Sequence, residues 1–246
     1  WVERVLPGGN GYVVVDEAHS NGVYGPRGRG IVSNLALENR VFARLHTFGK
    51  GLACNGAALL CSTLTREYLI NYAKPLIYST SMSFPSLAAI KVVYSLMKSG
   101  ATEPASLHHP STDHPTNSSK LIAHLNALMS HFYTLLQTLL PFTRHPHTGV
   151  RLLYIPKLLP QSAIFALLTP EPRALAKFCQ DGDIMVRPIV PPTVPEGTQR
   201  VRVCLHAGNT FEDVERLVAR VGAWLQLMRS GKRMDTREAG LLKAFL

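Results

Sequence analysis

The chain has 246 residues, of which 46% are hydrophobic and 17% charged, a balance typical of a folded globular protein rather than a disordered one. No apolar run approaches the roughly 20 residues that a membrane-spanning helix needs, so we expect no membrane partner. The formal charge of +10 would suit a nucleic-acid-binding protein. However, the lysines and arginines are scattered and no aromatic residues alternate with them, so we expect no nucleic-acid partner.

The cysteines and the first residues indicate the cellular compartment. Cys54, Cys61, Cys179 and Cys204 are widely spaced and include no CxxC pair. This spacing predicts reduced structural thiols, and not a zinc site. The first residues have no signal-peptide anatomy, and we expect a cytoplasmic protein. Because the chain starts at Trp1 and meets a strand almost at once, we interpret it as an N-terminally truncated fragment.

Predicted strands and helices alternate along the chain, which indicates an α/β protein. The run Val13-Val14-Val15 has no polar interruption, which is typical of a buried parallel strand covered on both faces. The other elements follow from apolar periodicity and from the positions of proline and glycine. Strands are predicted at 45–48, 57–62, 150–155, 162–168 and 200–205, a strand or loop at 77–81, and helices at 65–72, 85–98, 120–140, 172–180 and 211–229.

Residues 99–119 differ from both flanks because they are rich in serine, threonine, proline and histidine. Such a composition is typical of a linker or surface insertion. We therefore divide the chain into residues 1–98, this linker, and residues 120–246. His108, His109 and His114 could suggest a metal site, but a loop rich in proline and serine does not provide a supporting shell of carboxylates. Solvated histidines are therefore the simpler interpretation, and we predict no metal.

Two charged residues lie where an α/β sheet places its ligands. Asp16 comes at the end of the valine strand, and open α/β sheets bind ligands at the carboxyl ends of their strands. Lys50 lies between Gly49 and Gly51, in a turn whose backbone can approach a ligand closely. A lysine that forms a Schiff base and a carboxylate that pairs with the pyridinium nitrogen are the two protein groups that pyridoxal phosphate chemistry needs.

A rival interpretation of Asp16 comes from the string VDEAH, which is also the Walker B signature of DEAH-type helicases. That class requires a phosphate-binding loop of the form G-x-x-x-x-G-K-[ST]. Neither Gly49-Lys50 nor Gly231-Lys232 has the upstream glycine or the following hydroxyl residue, so the helicase hypothesis fails. A simpler alternative, in which Asp16 only caps a helix or turn, stays open.

Four segments of the sequence resemble the α-oxoamine synthases, a family that depends on pyridoxal phosphate. They are VVVDEAHSNGVYGPRGRGIV, HTFGKGLACNGAALLCS, LIYSTSMSFPS and RPIVPPTVPEGTQRVRVCLHA, and they follow the family's order at roughly its spacing. The resemblance implies an α/β fold, the C-terminal part of a fold type I pyridoxal phosphate-dependent transferase. Residues 1–98 would supply part of a mixed or parallel large-domain sheet, and residues 120–246 a small C-terminal α/β domain.

The resemblance also implies how the cofactor is held. Lys50 would form the Schiff base in a pocket with little other charge, and would act as the catalytic base. Asp16 would keep the pyridine nitrogen protonated, and His19 would hydrogen-bond the phenolic oxygen as a second catalytic residue. Thr47 would contact the cofactor phosphate. The plainer alternatives are a buried structural histidine at 19 and an ordinary β-branched strand residue at 47.

Two more residues would complete the site. Thr80, within Ser79-Thr80-Ser81, would reach the cofactor phosphate of the partner across a dimer interface, although hydroxyl-rich turns are common. Arg202 would clamp the carboxylate of the amino-acid substrate, a task suited to a guanidinium. Strand alternation places Arg200 and Arg202 on one face, and two solvent-facing arginines are the plainer alternative.

The function that the resemblance implies is the decarboxylative condensation of an amino acid with an acyl-CoA, giving an α-amino ketone, in a homodimer with shared active sites. TFGKG and YSTSM most resemble the branch of the family that condenses L-alanine with pimeloyl-CoA in biotin synthesis. Glycine or serine with a different acyl-CoA is one alternative. A truncated chain that only binds a partner subunit is another, which the joint presence of Asp16, His19, Lys50 and Arg202 disfavours.

Overall fold

The computed structural model of the chain describes residues 2–99 and 117–230. The chain forms two compact units, the first extending to Ile122 and the second beginning at Ala123. The boundary lies inside a long helix. Assignment of the two parts to a large and a small domain stays a prediction, and His108, His109 and His114 lie outside the described residues.

The first unit is built on a three-stranded sheet in the order β1–β2–β3. Strand β1 is parallel to β2, and β2 is antiparallel to β3, so the sheet is mixed. The helices of this unit precede, interrupt and follow the strands. The elements are α1 (Val2–Val5), β1 (Val14–Asp16), α2 (Ile31–Asn34), β2 (Ala43–Thr47), β3 (Ala57–Cys61), α3 (Thr63–Tyr72), α4 (Lys74–Ile77) and α5 (Phe84–Ser99).

This sheet has one covered face and one open face. Ala58 of β3 packs against a small apolar cluster that includes Phe48 and Met97 of α5. Val14 belongs to the opposite face by its register with Ala43, and it is 62% exposed. The prediction that the valine strand is covered on both faces is therefore wrong. Among the described residues, strand β1 is an edge strand that pairs with β2 alone, and the packed core lies on the α5 side.

The second unit contains a three-stranded antiparallel sheet in the order β4–β6–β5. Alternate side chains, including the cross-strand partners Phe165 and Val203, are buried, while Arg202, which precedes Val203 and lies opposite Ala166, is exposed. The Phe165 ring meets the Phe132 ring edge to face, with 4.8 Å between centroids. The elements are α6 (Asn117–Thr138), which begins in the first unit, then β4 (Ile164–Leu168), α7 (Pro172–Gln180), β5 (Arg187–Ile189), β6 (Arg200–Cys204) and α8 (Phe211–Ser230).

The structure differs from the sequence prediction at two strands, and it decides between strand and loop at a third segment. The 150–155 segment makes only isolated bridges, one of them from Tyr154 to Leu168, because its apolar residues Leu152 and Leu153 are buried by packing and not by pairing. The 77–81 segment, predicted as a strand or a loop, is a loop, since α4 ends at Ile77 and no regular structure follows before α5. Strand β5 is real although the sequence does not predict it, because it is short and centred on Pro188.

Within residues 2–99 and 117–230, no helix combines the length and the apolar character that crossing a membrane requires. The cytoplasmic location stays a prediction from the sequence.

The buried position of Leu153 gives a test of the second core. Leu153 has no exposed surface, whereas Leu158, five positions later, is 80% exposed. We expect Leu153→Ala to lower the free energy of unfolding by about 2–5 kcal/mol, because truncation removes apolar contacts and leaves a cavity. Leu158→Ala should change it by less than about 0.5 kcal/mol. Urea unfolding of both variants checks this, and equal effects would contradict the core assignment of Leu153.

Candidate active site

Asp16 and Glu17 point to opposite faces of the first sheet. They are consecutive residues at the end of β1, where successive side chains alternate between faces. Asp16 is in register with Leu45, so it shares a face with Leu45 and Thr47. The Glu17 carboxylate lies 2.9 Å from His46 Nε2 on the other face. Asp16 is exposed and Glu17 is fully buried, so each residue has a separate role.

The Asp16 carboxylate is held by the turn that follows it. The backbone N–H of Ala18 donates to Asp16 Oδ1 at 2.8 Å, so the turn-capping role is present. The other carboxylate oxygen has no hydrogen-bond partner among residues 2–99 and 117–230. One oxygen therefore fixes the orientation of the side chain, and the second is available to a ligand.

Lys50 and His19 come together although 31 positions separate them, with 3.0 Å between Lys50 Nζ and His19 Nε2. The Lys50 turn approaches the loop after His19 closely, since a Cβ on Gly51 would lie 2.9 Å from the carbonyl oxygen of Asn21. Glycine is required there for that reason. Lys50 is exposed, so the side chains of the described residues do not enclose it, and the predicted pocket stays a prediction.

This pair can transfer a proton. The contact joins a primary amine to an imidazole nitrogen, and an imidazole is a common proton donor and acceptor in general acid–base catalysis. A neutral lysine amine is a nucleophile toward a carbonyl group.

The two threonines predicted to contact phosphate are placed differently. Thr47 Oγ1 is buried and has no hydrogen-bond partner in the described parts of the chain. A buried hydroxyl without a partner costs free energy, so this atom suits a ligand that brings an acceptor. Thr80 is exposed, in a segment without regular structure. Among the described residues no hydrogen bond joins Thr80 to Asp16 or Lys50.

Arg202 lies in the second unit, in the central strand of its sheet. The predicted alternation is confirmed, because Val201 and Val203 are buried while Arg202 is exposed. Arg200, on the same face, donates from Nε to the carbonyl oxygen of Thr198 at 2.8 Å.

Glu17 is the residue of this region that the sequence analysis missed. Its Oε1 accepts from the Val32 backbone N–H at 2.9 Å and from the Ser20 hydroxyl at 3.1 Å. Its Oε2 lies 2.9 Å from His46 Nε2 and 3.9 Å from the Arg44 guanidinium. Burial raises the pKa of the Glu17 carboxyl, but the hydrogen bonds from Val32, His46 and Ser20 together outweigh it and hold the pKa below its ordinary value.

The only signal for Glu17 in the sequence is its place one residue after Asp16. On a strand with two distinct faces, that position must point away from the ligand side. His46, which received no role from the sequence, is its partner across the strands.

Comparisons with known proteins agree with the resemblance noted in the sequence. The model of the family described as aminotransferase class I and II matches residues 3–221. The chain is 46% identical over 231 residues to the 8-amino-7-oxononanoate synthase of Emericella nidulans, covering 94% of this chain and 50% of that protein. It is 37% identical over 224 residues to the aminoacyl transferase sphA of Aspergillus fumigatus, covering 88% and 44%.

A solved structure gives the fold. The chain matches a serine palmitoyltransferase variant of S. paucimobilis with a bound PLP–myriocin aldimine, with a TM-score of 0.68 and 21% identity. The match covers 89% of this chain and 48% of that one. It confirms the predicted α/β class and fold type I architecture. The chain spans about half the length of the relatives that it matches.

The buried carboxylate leads to a pH-dependent prediction. We expect Glu17→Gln to lower the free energy of unfolding near pH 7 by about 1–3 kcal/mol, because the hydrogen bonds from Val32 and His46 lose their charged acceptor. The folded-state pKa lies below the ordinary value of 4.5. The ionised carboxylate therefore stabilises the fold above that value, and this stabilisation is lost as pH falls through the folded pKa.

Unfolding measured from pH 7 down to pH 3 checks the prediction. The difference between the wild type and Glu17→Gln should be constant near neutral pH and should shrink in acid. Glu67→Gln, at an exposed position of α3, is the control and should change little. A difference that grows toward low pH would contradict the assignment.

Proposed function

Because the chain belongs to the aminotransferase class I and II family, we propose that it carries the cofactor-binding and substrate-binding residues of an α-oxoamine synthase. This reaction joins an amino acid to the acyl group of an acyl-CoA, releases carbon dioxide and coenzyme A, and yields an α-amino ketone. The observation that carries the proposal is the 3.0 Å contact between Lys50 Nζ and His19 Nε2. His19 follows Asp16 by three residues.

Pyridoxal phosphate, the cofactor of this enzyme class, fits the donor set of the first unit. Lys50 offers an amine for the cofactor aldehyde, and Asp16 has one oxygen available for the protonated ring nitrogen. Thr47 has a buried hydroxyl without a partner in the described residues, which suits the phosphate. When bound, the cofactor supplies an electron-accepting ring that stabilises negative charge on the reacting carbon of the substrate.

The residues of the chain would then orient the substrate and move its protons. Lys50 Nζ would remove the α-proton of the amino acid, and His19 Nε2 is close enough to exchange a proton with it. Asp16, fixed by the Ala18 N–H, would keep a positive charge on the ring nitrogen. Arg202, exposed on the second sheet, would bind the carboxylate of the amino acid.

The substrates that we propose are L-alanine and pimeloyl-CoA, which would place the reaction in biotin synthesis. The 46% identity to an 8-amino-7-oxononanoate synthase supports this choice. A second candidate is a different amino acid and acyl donor, favoured by the 37% identity to the aminoacyl transferase sphA. Assays of the full-length protein with L-alanine, glycine and L-serine, each with pimeloyl-CoA and palmitoyl-CoA, separate the two candidates.

We further propose a homodimer in which Thr80 serves the site of the partner copy. Thr80 is exposed and has no hydrogen bond to Asp16 or Lys50 within the described residues, which is consistent with a role outside its own site. The alternative of a non-catalytic partner subunit is disfavoured because Lys50 and His19 are both present and in contact.

The attachment of the cofactor tests the central assignment. Reduction of the full-length protein with borohydride in the presence of pyridoxal phosphate should fix the cofactor on Lys50, since this amine has a histidine in hydrogen-bond contact. Peptide mass mapping locates the label. Lys50→Ala should abolish specific labelling, whereas Lys74→Ala, on the short helix α4, should leave it unchanged. A label on another lysine would refute the assignment of Lys50.

The role of Arg202 is tested by the binding of L-alanine. Arg202→Ala should leave cofactor attachment intact but raise the dissociation constant of L-alanine roughly 10- to 100-fold, because a hydrogen bond to a charged group contributes about 1.5–3 kcal/mol. Arg200→Ala is the matched control, since Arg200 shares the strand and face but donates to Thr198. Titration of the cofactor absorption with L-alanine measures both. Equal small effects would leave the carboxylate without an assigned partner.

A further inference from the structure

The pairing of β5 with β6 brings a second arginine to Arg202. In the antiparallel register Arg187 lies directly opposite Arg202, and both side chains are exposed. Sheet geometry places the Cβ atoms of such a pair about 4.5–5.5 Å apart, on the same face. Both guanidinium groups can therefore reach the same small anion.

The pair carries positive charge without a described counter-charge. Like charges directly opposite each other across two strands destabilise a sheet. Within residues 2–99 and 117–230, neither Arg187 nor Arg202 forms an ion pair or a side-chain hydrogen bond. The residue opposite Arg202 on its other side is Ala166, which is small and uncharged. An anion bound between the two guanidiniums would relieve this repulsion.

Arg200 differs from this pair, because its guanidinium does have a hydrogen-bond acceptor. It lies two residues before Arg202 on the same face, and its own cross-strand partner is Ile189. Its Nε donates to the carbonyl oxygen of Thr198 at 2.8 Å, so the connecting loop occupies its guanidinium. Among the arginines of this sheet, only Arg187 and Arg202 face each other and have no described protein acceptor.

The connection between the two strands supports the pairing. Residues 190–199 join β5 to β6, and the N–H of Thr193 donates to the carbonyl oxygen of Val190 at 3.0 Å. The N–H of Thr198 donates to the carbonyl oxygen of Pro195 at 3.1 Å. A connection with its own hydrogen bonds restrains the register of the hairpin, and with it the position of Arg187 opposite Arg202.

We propose that Arg187 and Arg202 form one carboxylate-binding site, in which each guanidinium contacts the carboxylate of the amino-acid substrate. The inference rests on the proposed function, which assigns this carboxylate to Arg202 alone. A carboxylate has two oxygens with several acceptor positions, so it can accept hydrogen bonds from two planar guanidiniums at once. Arg187 is thus a binding residue for the amino-acid substrate. Together with Arg202 it requires that this substrate carry a free carboxylate next to its amine.

The binding test uses L-alanine because it has a single carboxylate. In the full-length protein with pyridoxal phosphate, Arg187→Ala should raise the dissociation constant of L-alanine at least tenfold, and Arg187→Lys, which keeps the charge, should recover part of the affinity. Arg200→Ala should stay within about twofold of the wild type. L-alaninamide, which lacks the carboxylate, should bind all variants equally. An Arg187→Ala dissociation constant within twofold of the wild type would overturn the proposal.

A second measurement does not depend on the bound cofactor. Acetate should raise the thermal unfolding midpoint of the wild type more than chloride does at equal ionic strength, and Arg187→Ala should remove this difference. At low salt Arg187→Ala should not lower the thermal unfolding midpoint, because removing one guanidinium relieves the repulsion between the two arginines. A variant with a lowered midpoint that still responds to acetate would show that Arg187 is purely structural. That result would overturn the proposal. If Arg202→Ala weakens L-alanine binding and Arg187→Ala does not, only the role of Arg187 fails. If neither does, the Arg202 assignment fails as well.

Discussion

The buried Glu17 carboxylate is the constraint on which the geometry of the first unit depends. It ties together three parts of the chain that are distant in sequence: the turn after β1 through Ser20, the start of α2 through Val32, and β2 through His46. An ionised carboxylate without exposed surface is tolerated only when such donors surround it. Gly30 shows how closely the loop approaches, because a Cβ there would lie 2.5 Å from Glu17 Oε1.

This constraint acts on the site through the alternation of the strand. With Glu17 anchored on the covered side, Asp16 must point to the open face, and the turn that follows presents His19 to Lys50. The position of the Lys50 turn is restrained by the close approach of Gly51 to the Asn21 carbonyl oxygen. The positions of the acid, the imidazole and the amine are therefore set by backbone contacts and one buried carboxylate, and less by contacts among the three themselves.

Local sequence patterns were sufficient for the elements that begin and end at clear signals. The helix that the structure places at Thr63–Tyr72 and the strand at Ala57–Cys61 are of this kind. The apolar 150–155 segment misled because burial in a loop gives the same pattern as burial in a strand. For the site, the motifs indicate Asp16, His19 and Lys50, but a carboxylate such as Glu17, whose partners are distant in sequence, has no local signature.

Both sheets separate folding from chemistry in the same manner. In each, one face carries the apolar core, and the residues that we propose to bind ligands occupy the other: Asp16 and Thr47 in the first unit, Arg187 and Arg202 in the second. A polar residue on the open face takes no apolar contact from the core. Three of these residues nevertheless carry unbalanced polar groups, since the Thr47 hydroxyl is buried without a described partner, and Arg187 faces Arg202 without a described counter-charge. A bound cofactor phosphate would give the Thr47 hydroxyl an acceptor, and a bound carboxylate would balance the charge of the two arginines. The position of these groups on the open faces is the physical reason to propose the ligands there.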